Sequence, residues 1–198
     1  MNIVLLILGI ASTQFGALEL VPISDEQTVG IATALVEHAG KVDGVPLKVE
    51  GDTAKSRGLI DAAREHGIMI VPAKGIVDDR ENPALGEEKG FPVGFLFLHN
   101  MLPGKGVEKD HLYRVTYTDE QGVDREIRFG VLTIRRYSNE DFRLLLWGTK
   151  DKPLVEASLE EEVSEEKTPV LLDCVGDDLE ITWLGNYPCY VPVKKSPF

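Results

Sequence analysis

The chain has 198 residues, of which 43% are hydrophobic and 27% charged, a balance that excludes a disordered chain, a collagen-like repeat and a multi-span membrane protein. Lys and Arg number 21 against 33 Asp and Glu, so the formal net charge is −12. A nucleic-acid binder needs a basic footprint and an anionic membrane surface attracts one; the sequence shows none, so neither is expected as a partner.

Ile3 to Ala11 (IVLLILGIA) is an uncharged apolar run. It is too short for a bilayer core, which takes about 20 residues, but it fits the apolar region of a secretory signal, about 7–15 residues. Gly9 and Ala11, or Ala11 and Thr13, stand at the spacing a signal peptidase reads. The leading Met1-Asn2 lacks Lys or Arg, and a buried first strand is the alternative. The expectation is a signal peptide over residues 1–13 and a protein that is secreted, periplasmic or in the cell envelope, as opposed to cytoplasmic. Export permits a Cys174–Cys189 disulfide. The surrounding segment reads as three short strands, however, which would set the two cysteines on non-adjacent strands, too far apart to bridge.

The next signal is a helix from Ser24. Ser24 and Gln27 have capping-box spacing, Asp25 and Glu26 suit the positive end of the helix dipole, and Gly40 is a stop. Val29, Ala32, Leu35, Val36 and Ala39 form one apolar stripe. Pro46 to Glu50 reads as a strand. A second helix is expected from Asp52 or Thr53 to His66, with Gly67 ending it, followed by a strand at Ile68 to Val71. Residues 20–75 thus read as an α/β portion, a helix plus a βαβ-like unit. Residues 76–90 read as a linker rich in Gly, Pro and charge.

From residue 91 to 198 the pattern is one of short strands, at 93–98, 111–118, 123–129, 131–135, 142–147, 154–157, 170–174, 179–184 and 190–193. Together they suggest an antiparallel β-sandwich or barrel-like domain. The overall expectation is therefore α+β. Pro188, Pro192 and Pro197 place the last strand at an edge. One hairpin can be read in register. A three-residue loop, Glu120-Gln121-Gly122, sets Tyr113 against Phe129, Val115 against Ile127 and Tyr117 against Arg125, with Gly122 supplying the left-handed residue such loops need.

Chemistry-bearing residues are sparse. His38 and His66 both fall in the last turn of an expected helix, where a donor satisfies terminal carbonyls. His99 and His111 flank a Gly-rich loop, beside Glu108 and Asp110. His99, Asp110 and His111 are therefore weak catalytic candidates, for acid-base work or for Zn²⁺. Asp78, Asp79 and Glu81 in the linker are weak Ca²⁺ candidates, without the regular loop spacing. The chain has no G-x-S-x-G, H-E-x-x-H, P-loop or G-x-G-x-x-G. The acids from Glu156 to Glu180 read as a solvated face, since charge runs usually are. Arg114, Arg125, Arg128, Arg135, Arg136 and Arg143 read as partners of internal carboxylates, with the acidic stretch at 156–180 available to them, and an anion or carboxylate pocket is the alternative. Trp147, Trp183, Tyr187 and Tyr190 read as core, with a sugar platform as the alternative. No cofactor is implied, though Ca²⁺ and Zn²⁺ stay open. The expected function is a non-catalytic binding or structural module of the cell envelope or extracellular space, with a protein or glycan partner. The alternative is a small hydrolase or metal-dependent enzyme using His99 and His111.

Overall fold

The computed structural model describes residues 19–76, 88–119, 121–162 and 168–196. The expected signal segment and the linker acids Asp78, Asp79 and Glu81 lie outside these residues.

The expected helix forms as α1, Asp25–Ala39. Ala32, Leu35 and Ala39 of the apolar stripe are buried, joined by Thr28. The cap differs in detail. The Ser24 hydroxyl bonds Gln27 Oε1 at 3.2 Å and leaves the backbone amides alone. Gly40 ends the helix in a right-handed conformation, with its N–H on the Val36 carbonyl.

The rest of the N-terminal portion departs from the βαβ reading. Strands make up 47% and helices 13% of the structure, and α1 is the single α-helix among the described residues. The expected strand at Pro46–Glu50 is an irregular segment that meets the sheet through one bridge, Gly51 to Ala73. The expected second helix is absent. Its cap signal at Asp52 and Thr53 starts only one 3₁₀ turn, Thr53–Lys55. The chain then extends as β2, Arg57–Ile60, and returns as β3, Gly67–Pro72, antiparallel to it.

Two forces oppose a helix here. Gly58 in a helix interior costs about 1 kcal/mol, and Leu59 gains burial by pairing with Ile68 in the core. Asp61 then bends the chain. Its carboxylate accepts the amides of Glu65 at 2.8 Å and His66 at 3.2 Å, and the imidazole Nδ1–H of His66 at 2.8 Å. Such local side-chain bonds compete with helix formation. His66 is therefore a buried loop clamp, not a helix-terminal residue.

Beyond the linker, the expected strands appear, with adjusted ends. They are β4 Phe91–His99, β6 Tyr113–Thr118, β7 Asp124–Arg136, β8 Phe142–Trp147, β9 Val155–Ser158, β10 Val170–Val175, β11 Asp178–Trp183 and β12 Tyr187–Lys195. Two strands are additional, β1 Val21–Pro22 and β5 Met101–Pro103. The two strands expected at 123–129 and 131–135 are one continuous β7.

One antiparallel sheet runs β1-β2-β3-β4-β7-β8-β9 and is curled into a half-barrel. β6 joins it on β7, on the first half of the edge that β8 takes further along. The hairpin register is the one expected: Tyr113 pairs with Phe129, Val115 with Ile127 and Tyr117 with Arg125. Gly122 has φ +77°, and Asp119 ties the turn through the amides of Gln121 and Val123.

The second sheet runs β10-β11-β12-β5. The chain reaches it by turning a corner at Asn100, left-handed at φ 50°, whose side-chain amide donates to the Glu65 carbonyl at 2.8 Å. Asn tolerates that conformation better than most residues. β12 is consequently an interior strand and not an edge. Its prolines are tolerated because Val193 N–H points to Asp177 on the β11 side. Pro188 and Pro192, at the alternate positions, thus turn their missing donors away from that ladder.

The half-barrel is buried on both faces. One face packs on the second sheet through Ile68, Leu96, Leu132, Leu146, Ile181 and Trp183. The other packs under α1 through Phe95, Phe97, Phe129, Val131 and Trp147. Central β4 lies between these two cores, which is why its sequence, VGFLFL, is a nearly continuous apolar run rather than an alternating one.

Candidate functional site

The helix-covered face of the half-barrel is not fully filled. Between α1, β2, β3, β4 and the β6–β7 hairpin lies a cavity of about 410 Å³. This is within the range of small-molecule sites, about 300–1,000 Å³. Its body is apolar: Ile31 and Leu35 from α1 face Met69, Phe97 and Ile127 from the sheet. At the mouth stand Asp61, Arg64, His99, Asp119 and Arg125.

Most of these polar groups are already engaged. Burial alone would push the Asp61 carboxyl up, but the hydrogen bonds from His66 and from the amides of His66 and Glu65 prevail and hold it low. The Val123 amide, foremost, keeps Asp119 low despite partial burial, helped by Arg125 Nε at 3.0 Å. His99 is half-buried. Its Nδ1 lies 3.3 Å from the Glu126 carbonyl, and its Nε2 is buried without a partner. Burial, chiefly, lowers the His99 imidazole below its ordinary value; the Glu126 carbonyl opposes this, and Arg125 and His66 add to it.

Asp61 and His66 resemble the orienting half of an acid-base pair. However, His66 does not line the cavity, and Asp61 spends its two oxygens on the loop. The pair therefore secures the β2–β3 connection.

His99 and His111 are not brought together. His99 ends β4 opposite Gly67. His111 lies in a 3₁₀ turn, Lys109–His111, at the far end of β6, where its carbonyl accepts Thr149 N–H. The ladders place them two strand spacings across and four residues along, roughly 16 Å apart. No ion with ligand bonds near 2 Å spans that.

Glu108, Asp110 and His111 do cluster, with ligand atoms within 4.8 Å of one another. The hydrogen bonding works against a metal there. Glu108 N–H donates to His111 Nδ1 at 3.3 Å, so the imidazole proton sits on Nε2. Nε2 is the atom that faces the two carboxylates, at 4.0 and 3.9 Å. A metal-bound histidine has the reverse arrangement, with its second nitrogen donating.

Cys174 and Cys189 are free thiols. They lie on β10 and β12, with β11 between them. That is at least two strand spacings, about 10 Å between backbones, beyond disulfide reach. Burial pushes the Cys189 thiol up to about 12.

Four of the arginines pair with internal carboxylates. Arg114 and Arg128 reach Glu126, Arg125 reaches Asp119, and Arg143 bridges Asp141 and Glu156. The remaining two, Arg135 and Arg136, meet carbonyls and rings instead. Of the four aromatics, Trp147 and Trp183 are core residues and Tyr187 is half-buried. Tyr190 alone is exposed, so they form no sugar platform.

Comparison with protein-family models, curated proteins and solved structures finds no match. The functional reading therefore rests on geometry. The cavity was missed in the sequence because its walls come from seven elements between residues 21 and 127, most of which read locally as ordinary core.

Proposed function

We propose that the protein is an exported, non-catalytic binding module of the cell envelope or extracellular space. Its ligand is a small, mainly apolar molecule held between α1 and the half-barrel. The observation that carries this reading is the apolar cavity of about 410 Å³ with polar groups gathered at its mouth. The non-catalytic part follows from the chemistry of the lining. Its carboxylates are committed to the loop and to Arg125, and no nucleophile–base pair meets there among the described residues.

The test is displacement of an environment-sensitive apolar fluorophore. Wild-type protein is expected to bind it, and Ile31→Trp, which fills the cavity from the half-buried face of α1, to lose binding while keeping the native circular dichroism. Unchanged binding by that variant overturns the assignment of the site. Leu35→Trp gives an independent second reading from the next turn of the helix.

A further inference from the structure

The polar groups at the cavity mouth differ in what they have left to offer. Asp61 accepts the amides of Glu65 and His66 on one oxygen and the His66 imidazole on the other. Asp119 accepts the amides of Gln121 and Val123 on Oδ1 and Arg125 Nε on Oδ2. Both carboxylates are thus taken up within the protein, and the charge of Arg125 is offset by Asp119. His99 Nε2 is buried and does not open onto the cavity.

Arg64 is the exception. It lines the cavity, is exposed, and its side chain makes no hydrogen bond or ion pair among the described residues. A guanidinium offers five N–H donors and accepts nothing. Gln27, also in the lining, has its Oε1 on the Ser24 hydroxyl, which leaves its amide N–H donors. Among the described residues, the one uncommitted charge at the mouth is therefore positive, and Gln27 adds donors beside it.

The backbone at Arg64 supports a functional role. Its φ is +57°, in the left-handed region. That region suits Gly, Asn or Asp, and a long charged side chain gains nothing from it. Strain of this kind gathers at functional sites. The turn is braced by Asp61. The Arg64 amide donates to the Asp61 carbonyl at 3.0 Å, and the Asp61 carboxylate grips the amides of the two residues that follow. The guanidinium is thus carried on a fixed turn at the rim of an apolar space.

We infer that the ligand is an anionic amphiphile, with an apolar body in the cavity and a carboxylate at the mouth paired to Arg64. This rests on the cavity being the binding site. A carboxylate matches the fork of a guanidinium, whereas an ammonium head would find both carboxylates already bonded. The experiment compares decanoate, 1-decanol and decylammonium at neutral pH as competitors of a neutral bound fluorophore. Decanoate is expected to compete about fivefold more strongly than the alcohol, the size of one exposed but well-placed ion pair. Decylammonium is expected to compete more weakly than either. The decanoate preference should shrink in about 1 M salt, where charges are screened within about 3 Å. Arg64→Asn removes the charge and suits the left-handed backbone, so it should bring decanoate level with the alcohol without lowering Tm. Arg64→Lys, which keeps the charge but not the fork, should keep part of the preference. Ile31→Trp should block decanoate, as a tail seated in the cavity requires. Equal competition by decanoate and the alcohol in the wild-type protein, strongest competition by decylammonium, or a decanoate preference that survives Arg64→Asn overturns the inference and leaves the binding site standing. Failure of the fluorophore and every competitor to bind overturns the site itself.

Discussion

Phe97 and Phe129 are neighbours on the helix-facing side of the sheet, with ring centroids 5.6 Å apart, and both are buried. Their surroundings differ. Phe129 packs against three rings, with Tyr113 at 5.3 Å and Phe95 at 6.1 Å besides Phe97. Phe97 has two ring partners, the other being Phe95 at 5.8 Å, and part of its surface borders the cavity. Truncating a buried Phe to Ala costs about 3–5 kcal/mol, and an aromatic pair adds about 0.5–1.5 kcal/mol beyond area. A ring with fewer aromatic partners has fewer contacts to lose. Phe97→Ala should therefore fall near the bottom of that range, about 3 kcal/mol, and Phe129→Ala near the top, about 5 kcal/mol. For a protein of this size these are Tm losses of about 6–12 °C and about 10–20 °C. Equilibrium urea unfolding measures both, with unchanged slopes confirming that the native state is the one perturbed. Phe97→Ala should also keep or strengthen fluorophore binding, since it enlarges the space. Equal losses, or a larger loss for Phe97, would refute the reasoning, because they would mean that the ring contacts do not set the cost.

Three further outcomes are expected. Asp61 is held below its ordinary value of 3.8 in the folded protein, so its contribution is present above that value and is lost as the pH falls through the folded pKa. Asp61→Asn should cost about 1–3 kcal/mol at neutral pH, and its stability should fall less steeply in acid than the wild type's; parallel urea midpoints across pH would contradict the clamp. In an aromatic-disulfide titration without reductant, Cys189 should stay silent in the native state and both cysteines should react in denaturant, whereas a protein that yields no thiol until reduced would contain the bond that the strand order forbids. Finally, unreduced protein recovered from its native host should lie outside the cytoplasm with a mass reflecting cleavage after Ala11 or Thr13; a full-length cytoplasmic mass would end the export reading.

The amino-acid sequence by itself determined what a few consecutive residues decide. Helix α1 follows from an apolar stripe of period 3.6 bounded by acids and Gly40. The Tyr113–Phe129 pairing follows from alternation on both strands together with Gly122, which alone fits the loop length. Both rest on interactions within about 20 residues, where period and turn chemistry leave one solution. Tertiary structure decided the rest. Residues 52–66 carry helix formers and helix caps, and the local signal favours a helix. The balance is tipped by Leu59 finding Ile68 across a hairpin and by Asp61 gripping His66, neither of which is a periodic feature. The same holds for the corner at Asn100, which sends β5 to the second sheet and makes β12 an interior strand. It holds also for the separation of the cysteines by β11. The cavity is the extreme case. An apolar residue lining a void and one filling a core have the same sequence signature, and only the assembly of the helix on the sheet distinguishes them.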